Sequence, residues 1–146
     1  MICKRNFEIR ACTESDVEAV LALWRHSSSP GSTDTAAAIN ARLARDDGLF
    51  LLASIEGTVI GSLIAGWDGW RGYFYRLVVD QAYRRRGIAA ALVREGERRL
   101  SELGARRIYA AVLAYEEPAV EFWRAAGYEL TSHVRPFAKD LSVGSR

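Results

Sequence analysis

The stretch Leu77–Leu92, L-V-V-D-Q-A-Y-R-R-R-G-I-A-A-A-L, constrains this chain more than any other. Leu77, Val78 and Val79 make a short apolar run that reads as the end of a strand. Tyr83 to Gly87 is a tight basic turn. From Ile88 onward, apolar or small residues recur at helical spacing, at Leu92, Val93, Gly96, Leu100 and Leu103. A buried strand therefore runs into an arginine-rich glycine turn, and the turn opens a helix.

That arrangement suits an anion. The first backbone N–H groups of a helix have no partner inside it. The helix dipole adds partial positive charge at that end, worth up to ~2 kcal/mol for a well-placed anion. A phosphate or pyrophosphate can rest on those groups if nothing blocks it. Gly87 has no Cβ, and Ala89 and Ala90 carry only a methyl, so the backbone is approachable. Arg84, Arg85 and Arg86 add charge where it helps. An isolated R-R-R-G is more often a solvated turn; the strand before it and the small residues after it favour the anion site. No G-K-[ST] follows the glycine, and no G-x-G-x-x-G is present, so neither standard nucleotide loop applies.

At 146 residues the chain is long enough for one domain with a real core. A net charge of +2 is too small to imply nucleic acid. Cys3 and Cys12 are the only cysteines; with no nearby histidine they make no zinc site, and reduced thiols in the cytoplasm are the expectation. No apolar run is long enough to cross a bilayer, and the N-terminus lacks a signal-peptide pattern.

In chain order, Phe7–Ala11 reads as a strand. Thr13 and Asp16 form a capping-box signal for a helix with Val17, Val20, Leu21 and Trp24 on one face. The Ser27–Gly31 loop ends it, as a connector or a substrate wall. A second helix is expected from about Asp34 to Arg45, then strands over Leu49–Ile55, Val59–Trp67 and Tyr73–Val79. After the central helix, Gly104 is a C-terminal cap and Arg107–Leu113 a strand parallel to Tyr73–Val79. Pro118 opens a last helix carrying Ala119, Val120, Phe122 and Trp123; Tyr128–Leu141 has room for one or two closing strands, and the tail 142–146 frays. These patterns alone specify a mixed α/β domain.

Arg84-Arg85-Arg86-Gly87-Ile88-Ala89 resembles the R/Q-x-x-G-x-G/A signature of the GNAT superfamily of acetyl-CoA-dependent N-acetyltransferases. Glu116 to Tyr128 resembles that family's N-x-x-A-x-x-F-Y-x-x-x-G-F, with matches at Ala119, Phe122, Gly127 and Tyr128. With both motifs in this order, the chain is identified as a member of that superfamily. The A-G-W-D-G-W-R-G-Y-F-Y and A-V-L-A-L-W-R stretches resemble the small stand-alone bacterial members of the YpeA type.

The resemblance implies an α/β GNAT fold (α+β by some schemes) over residues 1–146, in the order β-α-α-β-β-β-α-β-α-β(-β), with splayed parallel strands around Val79 and Leu113. It implies acetyl-CoA as cosubstrate, its pyrophosphate on the N–H groups from Arg85 to Ala90 and its pantetheine along the edge of Leu77, Val78 and Val79. The implied cofactor residues also include Arg84, Arg86, Gly87, Ile88, Ala89, Glu116, Phe122 and Trp123. The implied reaction is direct attack by a primary amine in a ternary complex, with the Val79 N–H as oxyanion donor.

Two positions depart from the family pattern. Glu116 stands where its Asn is usual, and Trp123 where a Tyr is frequent. In relatives that Tyr protonates the departing thiolate; an indole N–H is a donor only. General-acid catalysis is typically worth ~10²–10⁴-fold, so Tyr75, Tyr115 and Glu116 become the candidates for it. Glu116, Glu117 and Asp68 are candidates for the base or for anchoring the amine. Trp67, Trp70, Tyr73, Phe74 and Tyr75 either line an acceptor pocket or pack. His26 and His133 are isolated, which argues against covalent catalysis. The expected partner is a small-molecule or peptide amine, with no nucleic acid, membrane or metal. A homodimer is compatible with the resemblance, though no stretch specifies one. The competing reading is a protein of this fold that binds acyl-CoA without turning it over.

Overall fold

A two-residue turn at Glu56 and Gly57 sets the sheet. Both residues take left-handed φ, 48° and 83°, the pair of values a type I′ hairpin needs. The turn joins β2 (Phe50–Ile55) to β3 (Thr58–Trp67). The computed structural model describes residues 6–46, 48–113 and 116–142, and the chain divides into two units, Met1–Ala111 and Val112–Arg146.

The first unit holds a five-stranded sheet in sequence order. β1 (Glu8–Ala11), β2, β3 and β4 (Gly72–Val79) are antiparallel neighbours, and β5 (Ile108–Ala110) lies parallel to β4. β2 is fully buried at Phe50, Leu51, Leu52 and Ala53, so it reads as a continuous apolar run rather than an alternation. α1 (Val17–Ser27) follows a capping box in which Thr13 N donates to Asp16 Oδ2 at 2.9 Å. α2 (Ala36–Arg45) starts two residues later than the sequence suggests. Thr35 is its cap, with Oγ1 accepting from Ala38 N at 3.1 Å, and this leaves Asp34 for another partner.

α3 (Ile88–Leu103) is the crossover between β4 and β5. It lies close on the sheet because Gly96 faces Phe74: a Cβ there would sit 2.7 Å from Phe74 Cε1. Ile88, Leu92, Val93 and Leu100 bury the same face, whereas Leu103, in the last turn, is half exposed. Gly104 closes the helix with φ 110°. The core beneath α1 and α2 is separate in composition, built on Val20, Leu23, Trp24, Ile39 and Phe50, with Trp24 stacked on Phe50 at 6.1 Å.

Two expectations are corrected in length. The strand expected over Arg107–Leu113 is only Ile108–Ala110, because its pairing with β4 ends at Phe74↔Ala110. In the second unit the described residues of Tyr128–Leu141 form no strand. A lone extended segment has no ladder to stabilise it, Pro136 removes one donor, and Leu130, Phe137 and Leu141 are 74%, 96% and 82% exposed. That unit is organised by α4 (Glu117–Ala125), with Pro118 in its first turn. Trp123 packs edge-on against Phe122 at 5.3 Å and Tyr128 at 4.9 Å. Tyr128 N–H donates back to Trp123 O at 2.9 Å, and Gly127 turns the chain with φ 95°.

Candidate functional site

β4 runs past the end of its parallel partner. Beyond Phe74 its outer edge has no strand neighbour among the described residues. The orientation of that edge follows from the ladder. Asp80 N–H donates to Ile60 O at 2.8 Å, towards β3. Successive residues of a strand point their backbone groups to alternate sides, so Leu77 and Val79 direct N–H and C=O outward. Val78 is buried, while Leu77 and Val79 are partly exposed.

The chain then makes a short 3₁₀ turn at Gln81–Tyr83, capped by Asp80 Oδ1 accepting from Ala82 N at 2.9 Å. Arg85 and Gly87 both take left-handed φ, 65° and 80°, which bends the backbone sharply into α3. Gly87 is the N-cap and supplies no side-chain acceptor. The first helical bond is Ala91 N–H to Gly87 O at 3.0 Å, so the N–H groups of Ile88, Ala89 and Ala90 have no acceptor within the helix. A Cβ on Gly87 would meet nothing within 4 Å; the approach is open. Of these residues only Ile88 buries its side chain, at 1% exposure.

The three arginines have different surroundings. Arg84 is exposed but tethered: Nε donates to Val79 O at 3.2 Å and Nη2 to Ser27 O at 3.0 Å. It ties the end of β4 to the end of α1, a structural role that leaves less of its guanidinium for a ligand. Arg86 lies over the Tyr83 ring at 5.2 Å, and both it and Arg85 are exposed. Backbone donors with two exposed cations beside them can bind a pyrophosphate.

Three residues before the end of β4 the strand bulges. The register with β3 shifts between Ser62↔Val78 and Ile64↔Tyr75, and Arg76 takes φ 51°. Side chains hold it there. Ser62 Oγ–H donates to Arg76 O at 2.9 Å, and Trp24 Nε1–H donates to Ser62 Oγ at 2.8 Å. The Arg76 guanidinium lies over the Trp24 ring at 4.6 Å, pairs with Asp34, and reaches Ser29 O at 3.4 Å. The 28–35 segment is thus stitched to the bulge. By sequence Trp24 reads as core and Asp34 as a helix start, and only Ser29 lies in a stretch read as a possible substrate wall.

Tyr75, next to the bulge, is 47% exposed and stacks on Tyr73 at 6.1 Å. Burial of its hydroxyl, then repulsion from Tyr73, pushes its pKa up, so it stays protonated and can donate a proton. The rest of the aromatic cluster disperses. Phe74 is core at 1% exposure. Trp67 and Trp70 lie at the opposite end of β4, lining a shallow concavity of about 370 Å³ with Arg71, Arg106 and Arg107. Asp68 is at that end too. Its Oδ1 accepts from Trp70 N at 2.8 Å and Arg71 N at 2.7 Å, and these bonds hold its carboxyl below the usual range. It closes the turn that precedes β4. Glu116, Phe122 and Trp123 lie in the second unit: Glu116 is the N-cap of α4, without a side-chain cap bond, and Glu117 is exposed. Tyr115 falls outside the described residues. Burial pushes the Cys12 thiol up to about 11, so it is no nucleophile, and His26 and His133 are exposed. Among the described residues no group of three or more His, Cys, Asp or Glu side chains could hold a metal ion, and no helix is long and apolar enough to cross a membrane.

The family model "Acetyltransferase (GNAT) family" matches residues 17–128, from α1 through the end of α4. The chain belongs to the GNAT acetyltransferase family. An acetyltransferase of Sodalis glossinidius is 35% identical over 136 residues, covering 92% of this chain and 95% of the relative. Among solved structures, Ard1 from Thermoplasma volcanium superposes with a TM-score of 0.80 at 20% identity, over 87% of this chain and 85% of that one. The aminoglycoside N-acetyltransferase AAC(6')-Iy, solved with CoA, gives 0.75 at 20% identity, over 97% and 99%. These structural likenesses extend over the mixed sheet with its β4–α3–β5 crossover, so this GNAT member has the family's fold.

Proposed function

We propose that this protein is an N-acetyltransferase that moves the acetyl group of acetyl-CoA to a primary amine by direct attack in a ternary complex. The observation that carries the reading is the pairing of an uncapped, open helix N-terminus at Gly87 with the outward-facing β4 edge at Leu77 and Val79. A CoA complex of the related AAC(6')-Iy adds support.

In this reading the N–H groups of Arg85 to Ala90 hold the pyrophosphate, with Arg85 and Arg86 as added positive charge. Leu77 to Val79 accept the pantetheine as an extra strand would be accepted. Acetyl-CoA supplies an activated thioester carbonyl. The outward Val79 N–H stabilises the negative charge that develops on that carbonyl oxygen. Tyr75, half exposed beside the bulge and with its pKa pushed up, is the described residue proposed to donate a proton to the departing sulfur. Glu116 remains a proposed base, and Phe122 and Trp123 proposed packing partners of the cofactor. All of 1–146 is proposed to act as one catalytic domain in the cytoplasm.

The test is thermal unfolding with and without acetyl-CoA. A ligand that binds only the folded state raises the midpoint. An upward shift that Gly87→Glu removes, followed by CoA release with a panel of amines, is the expected result. No shift at millimolar acetyl-CoA would overturn the cofactor site. A shift without CoA release from any amine would favour the binding-only reading, for which Trp123 in place of the family's Tyr is the supporting observation.

A further inference from the structure

Two buried side-chain polar atoms have no hydrogen-bond partner among the described residues: Arg76 Nε and Ser27 Oγ. They belong to the same corner. Arg76 reaches Ser29 and Asp34 of the segment that follows α1, and Ser27 is the last residue of α1. A guanidinium has five N–H donors arranged to meet a carboxylate through two parallel bonds. Here it lies over the Trp24 ring, the Nη2 side is paired with Asp34, and the Nε donor is enclosed without an acceptor among the described residues. Asp34 Oδ2 is shared: it also accepts from Gly31 N–H at 2.9 Å. The pair is thus built for a bidentate anion and filled by a carboxylate that satisfies it incompletely. The cation also sits in strained backbone, and a non-glycine residue at positive φ persists only where its surroundings hold it.

We propose that Arg76 is an anion subsite for the acceptor, and that Asp34 is the chain's own occupant of it. The acceptor is then a small amine that also carries a carboxylate. On binding, its carboxylate takes both Nε and Nη2 of Arg76, Asp34 is displaced, and the 28–35 segment is released from the bulge. Arg76 is a substrate-contacting specificity residue, and Asp34 sets how tightly the subsite is held shut. This inference rests on the acetyl-transfer reading for the identity of the ligand as an acceptor, but the subsite can be tested by binding alone.

The experiment uses the full chain with saturating CoA. The probes are glycine, β-alanine, γ-aminobutyrate and 5-aminopentanoate, each beside its own neutral amide. The ladder spans the unknown distance between amine and carboxylate. Binding is read by hydrogen exchange of the 28–35 amides and by the NMR resonance of the Trp24 indole N–H. At least one carboxylate is expected to bind about tenfold or more tighter than its amide, and to speed exchange across 28–35. Asp34→Asn lies in a surface segment and removes the internal competitor. It is expected to raise free-state exchange there and tighten carboxylate binding by about tenfold, since the share of open subsite rises. Arg76→Gln, checked for folding by circular dichroism, is expected to abolish the preference for carboxylates.

The proposal is overturned if no carboxylate outcompetes its amide in the wild type. It is equally overturned if Asp34→Asn loosens the segment yet leaves carboxylate affinity unchanged, which is the behaviour of a purely structural strap. Failure of the acetyl-transfer reading looks different: acetyl-CoA would then give no protection of the 85–90 amides, whatever happens at Arg76.

Discussion

The turn at Gly87 and the bulge at Arg76 lie at the same end of β4, and both depend on a left-handed residue, φ 80° and 51°. They are built oppositely. At Gly87 there is no side chain to reach, and the backbone itself is what a ligand meets. Arg76 accepts an unfavourable backbone so that its guanidinium can stand over Trp24 and against Asp34. The first site tolerates many sequences around one glycine. The second needs Trp24, Asp34, Ser62 and Arg76 together, although these residues are scattered through the chain. A site read by backbone is written locally; a site read by side chains is assembled from distant elements.

The strongest way to break this comparison is at Trp24. It is 3% exposed, stacks on Phe50, and holds both Ser62 and Arg76. Trp24→Ala should cost about 3–5 kcal/mol in denaturant unfolding, the usual range for a large core side chain. It should disorder the bulge while leaving the Gly87 turn able to bind acetyl-CoA in whatever fraction stays folded. Equal loss at both sites would show that they are one unit.

Gly87→Glu tests the other side. It should weaken acetyl-CoA by about 100-fold, or about 2.8 kcal/mol, measured by calorimetry. A non-glycine residue at φ 80° should also lower stability by about 1–2 kcal/mol. Unchanged affinity would sink the backbone-read pyrophosphate site.

Gly96→Val is an internal control on α3. The added side chain would meet Phe74 and Leu63 and should cost about 1–3 kcal/mol by overpacking, seen as a lower Tm. The helix shift it forces should reduce acetyl-CoA affinity more than it changes Arg76-dependent binding.

Thr35→Ala is the gentlest probe. Losing the α2 cap should cost about 1 kcal/mol and speed hydrogen exchange at the start of α2, without touching the Gly87 turn.

Acid tests two carboxylates that lie outside both sites. Asp16 is held well below the usual carboxylate range, chiefly by its bond to Arg10, then by Thr13. Glu95 is lowered to about 2, chiefly by Arg98 and then Arg99. Carboxyls depressed in the folded state stabilise it above their unfolded pKa, near 4. That contribution is lost as pH falls through the folded values. Stability should therefore decline from about pH 4 towards pH 2, and Asp16→Asn should flatten the decline.

Much of the first unit was legible from sequence. The apolar runs of the strands, the cap at Gly104 and the capping box at Thr13 and Asp16 are local signals, and each maps onto an element within about two residues. The Gly87 turn and the helix it opens were legible for the same reason, since a glycine, its neighbours and the helix that follows are contiguous. The short β5 and the missing closing strand were not legible. A strand exists only where a neighbour supplies a ladder, and neither neighbour is written in the strand's own residues. The aromatic run from Trp67 to Tyr75 looked like one cluster, but a strand sends alternate side chains to opposite faces and its two ends lie a strand's length apart.

By itself the sequence determined the class of fold and the family, and it supplied the Gly87 turn as the proposed place for a pyrophosphate, because these depend on groups arranged over a few consecutive residues. Only the tertiary structure decided what surrounds Arg76. The bulge, the indole beneath the guanidinium and the carboxylate upon it come from four separate elements, brought together by packing across the sheet. Side-chain constellations of that kind leave no pattern along the chain, and they carry the specificity that the motif does not.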